Sequence, residues 1–171
     1  MCDVGVRRGK QGFSLVELMI VVALVALLSG LTLWNMRMFS GLVVRADIEK
    51  LYTVCMYLRQ KAVSTRTEQL LEFDQLNNAY RYDGTVEHLS TAATYGFVED
   101  VMGPPSAPHK TITTYSSFDS SHIVFYPDGI IQSGTLYITD KDKKMLYALT
   151  SGVGQVSFLR KYRYDGSWHL L

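Results

Sequence analysis

The sequence predicts an α+β protein: a long amino-terminal helix, its first half apolar enough to cross a membrane, followed by a small antiparallel β head. Three observations carry this. An unbroken apolar run covers Leu18 to Leu28. An apolar stripe with helical spacing covers residues 44–62, and from Gln69 the pattern shifts to short β-type runs separated by turn residues.

Residues 1–12 are short, polar and basic, with Arg7, Arg8 and Lys10 set against Asp3. The positive-inside tendency places such a segment in the cytoplasm. From Phe13 the chain turns apolar, diluted only by Ser14, Glu17, Ser29, Gly30 and Thr32 as far as Trp34. As a helix, residues 13–34 would extend roughly 33 Å, close to the ~30 Å hydrocarbon core of a bilayer. An ordinary secretory signal has a small-residue cleavage site after its apolar region, and no Ala-x-Ala pattern follows Leu28. Any cut has to lie elsewhere, or the segment is a plain signal anchor.

Lys10-Gln11-Gly12-Phe13-Ser14-Leu15-Val16-Glu17-Leu18 resembles the processing signal of type IV prepilins and type II secretion pseudopilins. The resemblance implies that a membrane-bound prepilin peptidase cleaves between Gly12 and Phe13, ahead of the apolar helix, and that Phe13 is then N-methylated. It also implies that Glu17, the fifth mature residue, serves filament assembly by meeting the terminal amine of a neighbouring subunit. A carboxylate near the start of a membrane helix costs up to ~3 kcal/mol on insertion scales, so a compensating role is expected. Glu17 could instead neutralise its own chain's amine or favour the positive end of the helix dipole.

The cut would remove three of the 17 basic residues and one of the 16 acidic ones, leaving 14 and 15. So neutral a product is unlike a chain built to coat nucleic acid, although a local basic patch is compatible with it. Cys2 would leave with residues 1–12, so Cys55 could form no intramolecular disulfide and the mature fold would be held by core burial.

Between residues 35 and 64 the helix becomes amphipathic. Val44, Ile48, Leu51, Cys55, Leu58 and Ala62 recur at alternating steps of four and three, a stripe that requires a partner layer. A coiled coil would need a longer repeat and ordered flanking charges, so packing on a sheet is expected. Arg45 and Glu49 have the spacing of a helical ion pair. The first proline is Pro104, so one helix from Phe13 to about Ser64 is expected, about 78 Å long.

Residues 65–171 read as the β head. Strands are expected at 70–73, 79–82, 112–115, 122–126, 135–139, 145–150 and 155–162, joined as an antiparallel meander. Asn77-Asn78, Asp83-Gly84, Pro127-Asp128-Gly129, Asp140 to Lys144 and Ser151 to Gly154 supply the turns. Residues 99–111, with Gly103-Pro104-Pro105 and Pro108, read as a surface loop.

The succession Ile123 to Gly129, Gly134 to Ile138, Leu146 to Thr150 and Gly154-Gln155-Val156 resembles the head domain of GspH/FimT-type minor pseudopilins of the type II secretion system. The implied fold is type IV pilin-like: a long helix packed on two small antiparallel sheets. The implied role is structural, near the tip of a periplasmic pseudopilus. Its partners would be other major and minor pseudopilins, the inner membrane and the secretion platform within it. Many relatives place arginine after the glycine where this chain has Gln155. In FimT-type pilins of transformable bacteria, basic residues near this end contact DNA. Arg160, Lys161 and Arg163, interleaved with Tyr162 and Tyr164, could form a displaced version of such a nucleic-acid contact, or simply a charged edge strand.

No cofactor, metal site or catalytic cluster is expected. His88, His109, His122 and His169 lack metal-ligand spacing with each other and with Cys55, and Asp140-Lys141-Asp142 lacks the ligands and glycine of a calcium loop. Mass spectrometry of the chain recovered from its native membrane is expected to show a mature product that begins at Phe13; any other first residue contradicts the Gly12–Phe13 cut.

Overall fold

All six side chains of the stripe, Val44, Ile48, Leu51, Cys55, Leu58 and Ala62, are fully buried. They lie on helix α1, Leu15–Thr65, and the sheet that must cover them comes from the rest of the chain. The computed structural model describes residues 14–152 and 157–171, and for residues 30–40 it describes the backbone alone. The chain divides into two compact units, Met1–Arg37 and Met38–Leu171.

In the first unit, α1 is apolar on all sides from Leu18 to Leu28. Leu15, Val16, Leu18, Met19 and Ile20 are each more than half exposed. Among the described residues, no helix is long and apolar enough to cross a membrane. The expected span at 13–34 extends past those residues: Phe13 and the side chains of 30–34 lie outside them.

In the second unit, α1 is followed by β1 (Gln69–Asp74), β2 (Ala79–Tyr82), β3 (Thr85–His88), β4 (Ala93–Tyr95) and β5 (His122–Phe125). Four more strands complete it: β6 (Gly134–Asp140), β7 (Leu146–Gly152), β8 (Phe158–Tyr164) and β9 (Trp168–Leu170). They form two antiparallel sheets, one ordered β3-β2-β1-β5 and the other β4-β6-β7-β8-β9. One cluster joins the α1 stripe to both sheets, through Leu71, Phe73 and Tyr80 of the first and Leu136, Ile138, Tyr147 and Leu149 of the second.

Strand alternation gives β6 and β7 a second buried face. Tyr137, Leu146 and Ala148, with Tyr162 of β8, bury Val101 and Ile112 in a separate cluster. Residues 97–113 therefore lie as a strap over the outer side of the five-stranded sheet. The Trp168 indole N–H fastens it by donating to the Met102 carbonyl at 2.8 Å. Burial on both faces explains why β6 and β7 read as nearly continuous apolar runs.

Several expectations need correction. Residues 112–115 form no strand: Thr111 makes one isolated bridge to Met102, and Ile112, within the strap, is turned into the cluster on the sheet. Thr114 Oγ1 donates to the Ser116 carbonyl at 2.7 Å, a local bond that competes with a sheet ladder. The simple meander is also broken, because β4 joins the second sheet and β5 returns to pair with β1. Strands β3, β4 and β9 were not foreseen, being only three or four residues long. Residues 155 and 156, the expected start of the eighth strand, and the Gly154-Gln155-Val156 segment lie outside the described residues.

The turn residues act as their chemistry requires. Asp83 and Gly84 have φ of 50° and 74°, the left-handed pair of a tight hairpin turn. Gly134 starts β6 under the ring of Phe118, whose nearest atom would be 2.4 Å from an added Cβ. Leu58→Ala is expected to cost about 2–5 kcal/mol in denaturant unfolding of the full-length chain in micelles, against less than about 0.5 kcal/mol for Gln60→Ala on the exposed side.

Candidate functional site

The charged groups of the head fall into two sets: those that fasten the sheets to α1 and those left on the surface. On α1, Lys50 pairs with Glu87 of β3, and Lys61 Nζ pairs with Asp83 Oδ1 at 2.6 Å. These lysines are three helical turns apart, so the β2–β3 hairpin is held at both ends along the helix. Glu87 also accepts from Tyr80 at 2.9 Å and Tyr82 at 3.0 Å. The Lys50 ammonium, assisted by both phenols, holds the Glu87 carboxyl below its ordinary range. Tyr57 donates to Asp83 at 3.1 Å.

Glu49, expected to pair with Arg45, is instead bound by Lys161 of β8. Lys161 is 14% exposed in its side chain and sits 4.4 Å from the centroid of the Tyr52 ring. A cross-chain lysine prevails here because β8 brings its ammonium over the helix, between a carboxylate and an aromatic face.

The three basic residues of β8 are therefore not brought together. Lys161 and Arg163 lie on the helix side of the sheet, opposite Leu149 and Tyr147 of β7. Arg160 lies on the strap side, its guanidinium 4.5 Å over the Phe158 ring. Arg163 Nη2 pairs with Asp165 Oδ2 at 2.5 Å, and His169 Nε2 with Asp165 Oδ1 at 2.8 Å. Tyr162 is 5% exposed, so its ring offers no stacking platform. β8 lies between β7 and β9, which corrects the expectation of an edge strand.

Asp128 and Gly129 serve a turn. Ile130 N donates to Asp128 Oδ1 at 3.0 Å, and Arg59 Nε donates to the Gly129 carbonyl at 2.8 Å, docking this turn on α1. Cys55 is a free, fully buried thiol, and burial alone pushes its ionisation far above the ordinary range. Among the described residues, no group of three His, Cys, Asp or Glu side chains is placed to hold a metal ion.

Of the residues expected at the processing signal, Gly12 and Phe13 lie outside the described residues. Glu17 is exposed in the first turn of α1. Leu18 N donates to the Ser14 carbonyl at 3.1 Å, so Ser14 occupies the cap and Glu17 the third helical position. This is the spacing of a capping box, with the carboxylate near the positive end of the helix. The Ser14-x-x-Glu17 spacing was legible in the sequence as a helix start.

The feature that the apolar stripe concealed is the opposite side of α1. Leu42 is 60% exposed, Met56 36%, Tyr57 51% and Val63 44%, with Ala46, Thr53 and Gln60 exposed among them. At 100° per residue, Leu42, Ala46, Thr53 and Gln60 fall on one line, opposite the buried stripe. Arg45, Glu49 and Lys50 enter the same side, Glu49 bound by Lys161 and Lys50 turned towards Glu87. A partly apolar surface, with two of its three charges paired within the subunit, thus accompanies the helix along the head.

Lys161→Met is expected to destabilise the full-length chain in micelles by about 1 kcal/mol in denaturant unfolding. Arg160→Ala and Arg163→Ala should each stay within about 0.5 kcal/mol. Equal effects at all three positions would contradict the division of roles on β8.

Compared with known proteins, residues 7–33 match the family described as the prokaryotic N-terminal methylation motif. No curated protein and no solved structure matches the chain. That motif at the amino terminus, with a helix packed on antiparallel sheets behind it, is similar to the arrangement of type IV prepilin-like proteins.

Proposed function

We propose that this chain is a minor pseudopilin of the GspH/FimT type, a structural subunit at or near the tip of a type II secretion pseudopilus. The observation that carries the reading is the methylation motif at residues 7–33, with Glu17 in the first turn of the helix that follows it. On this reading residues 1–12 are a cleaved leader and residues 13–34 hold the subunit in the inner membrane. Residues 35–64 continue the helix into the periplasm, and residues 65–171 form the head.

Prepilin peptidase removes the leader at Gly12–Phe13, and Phe13 is methylated. Burying an apolar helix among other pilin-like helices leaves the new terminal amine and the Glu17 carboxylate in a low-dielectric setting, where each is the other's best partner between neighbouring subunits. The exposed side of α1 supports the same role. It exposes apolar side chains, and two of the charges among them, Glu49 and Lys50, are already paired within the subunit, which suits a surface that packs against other pseudopilins. Among the described residues no side-chain cluster is placed to hold a metal ion, and the proposed role is structural.

A FimT-like pilin acting in pilus assembly or DNA uptake is the competing machine. The arrangement on β8 gives it little support, because Lys161 is engaged by Glu49 and Arg163 by Asp165. Deletion in the native host, scored in parallel for protein secretion, piliation and DNA uptake, separates the two. Loss of secretion alone is expected, and loss of DNA uptake with secretion intact overturns the proposal. In the same host, Glu17→Ala is expected to be processed normally and to fail to enter filaments; normal incorporation contradicts the role given to Glu17.

A further inference from the structure

The strap formed by residues 97–113 does not close completely on the five-stranded sheet. Between them lies an open groove of about 300 Å³, the lower end of the range for small-ligand sites. Its walls carry Lys110, Thr111, Thr113, Thr114 and Ser117, and its floor Thr135 and Tyr137. Gly103, Ala107 and Ile112 complete the lining, so six of its ten residues bear a hydroxyl beside apolar surface, and no acidic side chain lines the groove.

Some of this polarity is spent internally. Thr114 Oγ1 donates to the Ser116 carbonyl, and Ser117 Oγ accepts from Thr135 N at 2.8 Å. Thr135 Oγ1 bonds Thr150 Oγ1 at 3.2 Å beneath the floor. Thr111 has only a 3.7 Å contact to Met102 Sδ. Among the described residues, neither the Thr113 hydroxyl nor the Lys110 ammonium has a partner. The internal bonds fix the floor, and the free groups stand along the rim.

We infer that this groove binds a saccharide that carries one acidic substituent. Hydroxyls both donate and accept, so a wall of them suits a polyhydroxylated ligand, whose own groups also do both. Lys110 supplies one cation, enough for a single carboxylate. A bare carboxylate would use Lys110 and the hydroxyls beside it as donors alone, whereas a sugar ring extends along the row and also donates to them. The threonines also account for the failure of residues 112–115 to form a strand: their side chains serve local bonds and the groove rather than a ladder. The inference is independent of the role in a filament, since no residue of α1 takes part.

The test uses the full-length chain, isotope-labelled and held in detergent micelles. Amide shifts are followed by NMR on titration with N-acetylmuramic acid, which joins a sugar ring to a carboxylate, with N-acetylglucosamine, which has the ring alone, and with lactate, which has the acid alone. Saturable millimolar shifts at Thr111, Thr113 and Ser117 are expected with the acidic sugar, and affinity about tenfold weaker for the neutral one, the loss of one charge-assisted bond. Lys110→Gln should abolish that difference, and Thr113→Ala should weaken both sugars; both positions are exposed and outside the core. Absence of shifts with either sugar overturns the inference. So does an equal response to lactate, which would mark a plain anion site.

Discussion

The second unit of this chain depends on one helical stripe being covered. Val44, Ile48, Leu51, Cys55, Leu58 and Ala62 are fully buried, and neither sheet has another way to shield the faces that meet them. Each deleted core side chain would cost the transfer energy of its atoms and the cavity left behind, which is why the stripe is kept apolar even at Cys55. The ion pairs from Lys50, Lys61 and Lys161 are secondary. They are partly exposed, so each contributes little stability, but they set where the β2–β3 hairpin and β8 sit on the helix.

The same helix has a second side that the head leaves open. A helix that only anchored a head would be expected to carry a charged outer face. Here Leu42, Ala46, Thr53 and Met56 remain exposed, and two of the three charges beside them, Glu49 and Lys50, are paired within the subunit. The two sides answer different requirements, one internal to the subunit and one external to it. Together with the methylation motif and Glu17, this is the physical content of the proposed assembly role.

Much of the fold was legible because it rests on periodicity. The steps of four and three gave the buried stripe, and the Asp83-Gly84 and Asp128-Gly129 turns gave two connections. What escaped was short or non-local. β3, β4 and β9 are too brief to show alternation, and the exchange of β4 and β5 between sheets depends on packing that no local pattern records. The strap was read as a loop, yet its role as cover for Tyr137 and Ala148 follows only once β6 and β7 are seen to be buried on both faces. On β8, alternation alone would have separated Arg160 from Lys161 and Arg163. The partner of Lys161 was not legible, because Glu49 is more than a hundred positions away in the chain.

On the proposed role, the outer side of α1 is an assembly surface. Thr53 lies at its middle and Cys55 is buried, so a Thr53→Cys chain offers one accessible thiol in the mature protein. The rate of maleimide labelling at that position, compared between assembled filaments and detergent-dispersed subunits, tests the claim directly. Strong protection in the filaments, reversed on dispersal, is the predicted result; the same labelling rate in both states would contradict it.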